Sequence, residues 1–213
     1  MLVAGRCISE MHPPGWRRHR GLDFSGQSVS EEGFTPDPGP IPIMPPSNFT
    51  LRAATEADLP AIVEIYNSTI PSRMVTADLE PVTVDSRRPW FAAHQKPSHP
   101  IWILGDAAAS VCAWLSFDPF YPRAAYDGTA MIALYVAPSH RRLGIGRYLL
   151  QEAIARAPAL GLHTLLGYIF GHNEPSHRLF AAHGFSRWAH LPRVAVLDGI
   201  ERDLIIVGLQ VRP

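Results

Sequence analysis

Lysine is almost missing from this chain. Of its 19 cationic residues only Lys96 is one, and the rest are arginines. Nineteen Asp and Glu cancel them, so there is no net charge. That excludes strong global electrostatic capture of nucleic acid or of an anionic membrane surface. Cysteine is as scarce: Cys7 and Cys112 cannot build a disulfide framework or a cysteine-only metal site. No uninterrupted apolar run approaches the ~18 residues that a membrane span needs. A short apolar start precedes Glu10, two prolines and Arg17, Arg18 and Arg20. A secretory signal has the reverse order, so a cytoplasmic protein is expected.

Regular patterning is also missing from residues 1–47. They hold eight of the 21 prolines and a Ser/Gly/Glu stretch between Phe24 and Phe34. Such a segment cannot bury enough apolar surface to offset its ordering entropy. It is expected to be a tail, disordered or laid over the domain. A Pro-rich ligand for another protein's groove and a true start at Met44 are the alternatives.

What is present is enough apolar side chain, 46% of 213 residues, for one packed domain, expected over 48–213. Phe49 to Arg52 alternates like a strand. Thr55 and Asp58 read as a helix start, followed by Leu59, Ile62, Val63, Tyr66 and Ile70 at helical spacing. A second helix is expected over 84–94, kinked or split at Pro89. Strands follow at 101–104, 111–117 and 129–136, the last two joined by an aromatic loop. A helix over 147–157, a strand over 164–170 and a helix over 173–183 come next. Asp198-Gly199 signals a closing hairpin of 188–197 and 200–211. The order β-α-α-β-β-β-α-β-α-β-β predicts a mixed-sheet α/β or α+β domain. Tyr66, Trp90, Trp102, Trp188 and Cys112 read as core.

One stretch carries chemistry. In Leu134-Tyr-Val-Ala-Pro138-Ser-His-Arg141-Arg142-Leu143-Gly144-Ile145-Gly146 a strand runs into a basic, glycine-bearing loop that opens a helix. Glycines let the backbone approach an anion, and the helix N-terminus adds free N–H groups and positive potential. A pyrophosphate suits this cradle. Leu149 stands where the dinucleotide fingerprint needs a third glycine, and a P-loop lysine is absent. Glycines at an ordinary helix start, with solvated arginines, are the plain alternative.

At these residues the sequence resembles the GCN5-related N-acetyltransferase (GNAT) superfamily. Leu134-x-Val136-x-Pro138-x-x-Arg141-x-x-Gly144-x-Gly146 fits its coenzyme A motif, and Asn173-x-x-Ser176-x-x-Leu179-Phe180 with Gly184-Phe185 resembles its second segment. Tyr66-Asn67, Glu80-Pro81 and Asp198-Gly199 with Asp203 are similar to phosphinothricin and methionine sulfoximine acetyltransferases. The resemblance implies a mixed sheet of about seven strands with four helices. It also implies direct acetyl transfer from acetyl-CoA to the primary amine of a small amino-acid-like substrate. Coenzyme A would lie in a splay between the fourth and fifth strands, held by Leu134, Tyr135, Val136, Arg141, Arg142, Leu143, Gly144, Ile145, Gly146, Arg147, Asn173 and Ser176. A backbone N–H near 134–135 would serve as oxyanion donor. A homodimer is the family analogy.

Two positions depart from the family's pattern. Met131 stands where a base is expected and Phe180 where an acid is expected. Positioning alone can carry much of an acyl transfer. Otherwise another residue serves: Tyr135 and Glu80 are the candidates, with Asp127, His177 and His183 behind them. A non-catalytic coenzyme A or acyl-CoA sensing module is the alternative function. For the acceptor, Arg73 is the expected carboxylate clamp, with Thr76 and Tyr121 beside it. Ten histidines form no compact ligand pattern, so no metal is expected.

Overall fold

A computed structural model describes residues 48–211; the expectations for residues 1–47 lie outside them. The described chain forms a seven-stranded sheet of β1 (Thr50–Ala53), β2 (Ile101–Gly105), β3 (Val111–Pro119), β4 (Thr129–Val136), β5 (Thr164–Phe170), β6 (Ser186–Leu197) and β7 (Ile200–Gln210). The order across the sheet is β1-β2-β3-β4-β5-β7-β6. Every neighbouring pair is antiparallel except β4 and β5.

Helices α1 (Leu59–Asn67) and α2 (Val84–Ala93) cover one face. There Leu59, Ile62, Val63 and Phe91 pack on Ile101, Ile103 and Trp114. Helices α3 (Ile145–Arg156) and α4 (Glu174–Ala181) cover the other, where Leu149, Leu150, Ala153 and Phe180 meet Leu115, Phe117, Ala130 and Leu165. Period-two alternation along β4 divides the strand between them. Ala130, Ile132, Leu134 and Val136 turn to α3, and Ala133 and Tyr135 to α1.

Three local expectations change. Helix α2 is one helix through Pro89 rather than two pieces. That residue is exposed, so water can take the carbonyl it leaves unpaired. Helix α3 starts two residues before the expected Arg147, because Gly144, at φ 79°, turns the chain into it. Trp188 is 47% exposed rather than core. It lies over Gly208, where a Cβ would come within 2.2 Å of its ring. The Asp198-Gly199 turn is as read: φ is 49° and 80°, the pair of positive values a two-residue type I′ hairpin demands.

The start of α1 hangs on one carboxylate. Asp58, buried, accepts from both terminal nitrogens of Arg52 at 2.7 Å and from the Thr55 N–H and hydroxyl at 2.7 and 2.8 Å. The bond from Arg52 leads the effects that outweigh burial and hold the Asp58 carboxyl down at about 2. Its folded pKa is thus below its unfolded one, so its stabilisation is present above about pH 4 and is lost towards pH 2. Asp58→Ala is expected to cost about 2 kcal/mol at neutral pH. In urea titrations at a series of pH values that difference should shrink steadily between pH 4 and pH 2.

Candidate active site

β4 and β5 run side by side for only three pairs, Thr129 with Thr164, Ala130 with Leu165 and Met131 with Leu166. Both strands continue, β4 to Val136 and β5 to Phe170, but they diverge. The opening is a cleft of about 490 Å³, walled by residues 131–135 of β4 and 168–170 of β5. Asn173, Ser176 and Leu179 of the α4 segment and Thr76 of the 71–81 loop complete it. Its walls are largely apolar. The β4 backbone groups facing the gap are left for a ligand, since buried N–H and C=O groups require partners.

The basic loop lies at the β4 end. Pro138–His140 makes a single 3-10 turn, after which Arg142 and Gly144 both adopt positive φ, 64° and 79°. No side chain caps α3. Among the described residues, no protein group accepts from the backbone N–H groups of residues 142–147. These donors and the start of a twelve-residue helix could hold an anion. Gly146 has the Leu134 and Leu179 side chains within 3.7 Å of where a Cβ would stand, which holds the helix start against the cleft.

A residue absent from the sequence-based candidates sits at the head of the cleft. Asp118 is the cross-strand partner of Met131. A carboxylate therefore stands one strand away from the place where the family's base was expected. It accepts from the Ser116 hydroxyl at 2.6 Å and from Trp90 Nε1 at 3.0 Å, and His94 Nε2 lies 3.1 Å away as an ionic contact. Burial opposes ionisation of Asp118, but these donors outweigh it and keep its pKa below the usual carboxylate value. His94 is buried with Nδ1 2.8 Å from the Trp90 carbonyl. Both ring nitrogens thus face acceptors, an arrangement that suits the imidazolium. Burial disfavours that charge, yet Asp118 and the carbonyl raise the His94 pKa. The family resemblance pointed to β4, and Asp118 opens the aromatic loop, so only the strand register revealed it.

Asp118, Ala133 and Tyr135 also line a second, smaller chamber of about 170 Å³ between α1, α2, β3 and β4. Tyr66, Arg87, Trp90 and Trp114 are among its walls. Tyr135 stacks on Trp114 at 4.4 Å. Burial drives its pKa far above the ordinary value, so it stays a neutral phenol.

Of the expected residues, the structure gathers Leu134, Tyr135, Asn173, Ser176 and Thr76 at the cleft. Asn173 is less free than expected. Its oxygen caps α4 at Ser176 N–H, 3.2 Å, and its amide nitrogen donates to the Met74 carbonyl, 2.8 Å. Thr76 is buried, bonded to the Tyr66 hydroxyl. Arg73 lines neither cavity. It is a tether, gripping Asp198 in the hairpin turn at 2.7 and 3.1 Å and the carbonyls of Ile70 and Leu79. Glu80 and Tyr121 are exposed and line neither cavity. The same holds for Asp127, while His177 and His183 bind the carbonyls of Phe170 and Leu179. Phe180 packs over Gly167, where a Cβ would lie 2.6 Å from its ring. Cys112 is fully buried, and burial raises its thiol pKa. Asp106 and His140 bring ligand atoms within 4.8 Å of that thiol, but Asp106 already caps the Ala108 and Ser110 N–H groups.

The description "Acetyltransferase (GNAT) family" fits residues 59–185 of the chain. YwnH of Bacillus subtilis, which carries a provisional phosphinothricin acetyltransferase name, is 50% identical over 160 residues, 75% of this chain and 98% of its own. An L-methionine sulfoximine/L-methionine sulfone acetyltransferase of Pseudomonas paraeruginosa is 33% identical over 77% of this chain and 95% of its own. The crystal structure of a phosphinothricin acetyltransferase from Sinorhizobium meliloti in complex with acetyl-CoA superposes with a TM-score of 0.72 at 26% identity. That match covers 77% of this chain and 89% of the other. With the unzipped β4–β5 pair and the uncapped glycine loop beside it, these similarities identify the chain as a member of the GNAT acetyltransferase family, an acetyl-CoA-dependent N-acetyltransferase.

Proposed function

We propose that this chain acetylates the primary amine of a small amino-acid-like substrate by direct transfer. The observation that carries the reading is the apolar cleft between β4 and β5, which ends at a carboxylate on one side and at the uncapped helix α3 on the other. The pantetheine arm of acetyl-CoA suits that cleft. Its pyrophosphate suits the N–H groups of residues 142–147, with Arg141, Arg142 and Arg147 adding charge. An N–H of β4 near Leu134 and Tyr135 is the donor for the thioester oxyanion. The amine nitrogen forms the C–N bond as the C–S bond breaks. One ammonium proton passes to solvent or to a nearby base before attack, and a second ends on the departing thiolate. Tyr135, a phenol that lines both cavities, would relay that second proton, its hydroxyl giving one proton to sulfur and taking in exchange the one shed by the amine. Glu80 takes no part, being exposed and away from the cleft. A cysteine relay through Cys112 is disfavoured, because that thiol is fully buried and lines neither cavity.

Residues 48–213 are the catalytic domain in this reading, with residues 1–47 an appendage. A sensing module without catalysis is the weaker reading, since YwnH and the Pseudomonas protein carry acetyltransferase names. No described helix is long and apolar enough to cross a membrane.

Three outcomes follow. Purified protein with acetyl-CoA and a panel of amino acids, including methionine sulfoximine and phosphinothricin, should release free thiol with at least one amine. Clear acetyl-CoA binding without any turnover would contradict the reading. Gly144→Val forces a branched side chain into the left-handed region, at a cost of about 1–2 kcal/mol. It should raise the KM for acetyl-CoA roughly tenfold and leave the amine KM alone. Tyr135→Phe should lower kcat by about a hundredfold, within the range for proton transfer by a positioned group, with acetyl-CoA binding intact; an unchanged kcat removes Tyr135 from the chemistry.

A further inference from the structure

Among the described residues, three side chains of metal-ligating type converge once, and they line neither the cleft nor the chamber beside it. They are Asp106 in the β2–β3 turn, Cys112 near the start of β3 and His140 in the turn after β4. One ligand atom from each lies within 4.8 Å of the other two. Backbone bonds hold the three segments together. Asp106 N–H donates to the Ser110 carbonyl at 3.0 Å, and Ala137 N–H donates to the Cys112 carbonyl at 2.8 Å. The N–H groups of Ala108 and Ser110 both end on Oδ1 of Asp106, so those caps do not use its second oxygen. The Ser139 hydroxyl lies 2.9 Å from His140 Nδ1, and no described group bonds Nε2. The Cys112 thiol has only a weak bond to the Ser110 carbonyl, at 3.4 Å. It is fully buried, while Asp106 and His140 are partly exposed, so solvent reaches the group from the carboxylate and imidazole side.

We propose that Asp106, Cys112 and His140 bind a zinc-class divalent cation, with water as the fourth ligand. The ion takes no part in acetyl transfer. A thiolate, an imidazole and a carboxylate are the donor set of a borderline-soft metal, whereas magnesium and calcium take oxygen ligands. Metal-ligating imidazoles and carboxylates are themselves held by outer hydrogen bonds, and the Ser139 hydroxyl and the two caps on Asp106 stand where such bonds belong. On binding, the S–H bond breaks, the metal–sulfur bond forms and the proton leaves to solvent. One carboxylate, one thiolate and one dication then sum to zero, so no net charge is left beside the buried sulfur. Without the ion the thiol stays protonated, because burial raises its pKa. Histidine spacing does not announce the set, since it takes one histidine and two other residue types from three separate elements. An ion here ties the Pro138–His140 turn, which leads into the α3 loop, to the β2–β3 turn.

The test titrates zinc into the full, untagged, reduced chain against a chromogenic chelator, with cobalt as a spectroscopic probe in parallel. One zinc per chain should bind, and cobalt should give a thiolate-to-metal charge-transfer band. Cys112→Ser should abolish the band and weaken zinc binding roughly tenfold or more, whereas Cys7→Ser should change neither. Asp106→Asn keeps an acceptor for both caps, and it and His140→Ala should each weaken zinc by a similar factor. Because the ion binds the folded chain, excess zinc should raise the Tm of the unaltered protein and leave that of His140→Ala unmoved. Thermal unfolding of each variant without metal shows that it folds; if Cys112→Ser does not, Asp106→Asn and His140→Ala decide. Zinc affinity that survives these substitutions, or cobalt bound without a thiolate band, places the metal on other residues and overturns the site. Absence of stoichiometric zinc binding overturns it as well.

Discussion

The fold depends on a strand pairing that stops early. β4 is hydrogen-bonded to β3 along its whole length but to β5 for three residues only. A sheet that unzips in its own centre exposes backbone donors and acceptors in a region otherwise packed from both faces, and such groups need partners. Two cores keep the strands apart. Leu134, Leu179 and Phe180 fill the α3–α4 side of the gap, and Tyr135 stacked on Trp114 fixes the other. The cleft is therefore built from core packing.

Charge is arranged with similar economy. The chain carries no net charge, and the ion pairs in the described residues are mostly short-range ties. Arg52 with Asp58 fixes the start of α1, and Arg73 with Asp198 joins the 71–81 loop to the terminal hairpin. His172 and Asn173 bind the carbonyls of Arg73 and Met74 in the same loop, so the segment that borders the cleft is anchored from the β5–α4 connection as well. At the cleft and the chamber beside it, Arg87 binds Asp78 through one terminal nitrogen, and Asp118 borders both cavities.

Much of this was legible in the sequence, for reasons that differ by element. The strands at 129–136 and 164–170 and the Asp198-Gly199 turn were readable because alternation and turn chemistry are local properties. The glycine turn into α3 was readable because glycine spacing and a helix start lie in one contiguous stretch. What escaped was long-range. Nothing local tells that Asp118 pairs with Met131 on the neighbouring strand, or that Arg73 reaches a turn 125 residues away. Pro89 does not split α2, because propensity weighs a missing N–H without knowing that this position is exposed. Trp188 misled because aromatic size suggests burial, whereas it stands on β6, a strand exposed along most of its length.

The central claim is that the β4–β5 gap and the α3 loop together form the acetyl-CoA site. A crystal structure of this chain with acetyl-CoA tests it most directly. The account predicts the pantetheine arm between residues 132–135 and 168–170, the pyrophosphate on the N–H groups of residues 142–147, and the thioester beside Tyr135 and facing Asp118. Acetyl-CoA bound outside the gap, or β4 and β5 zipped together along their full length in the complex, would contradict it.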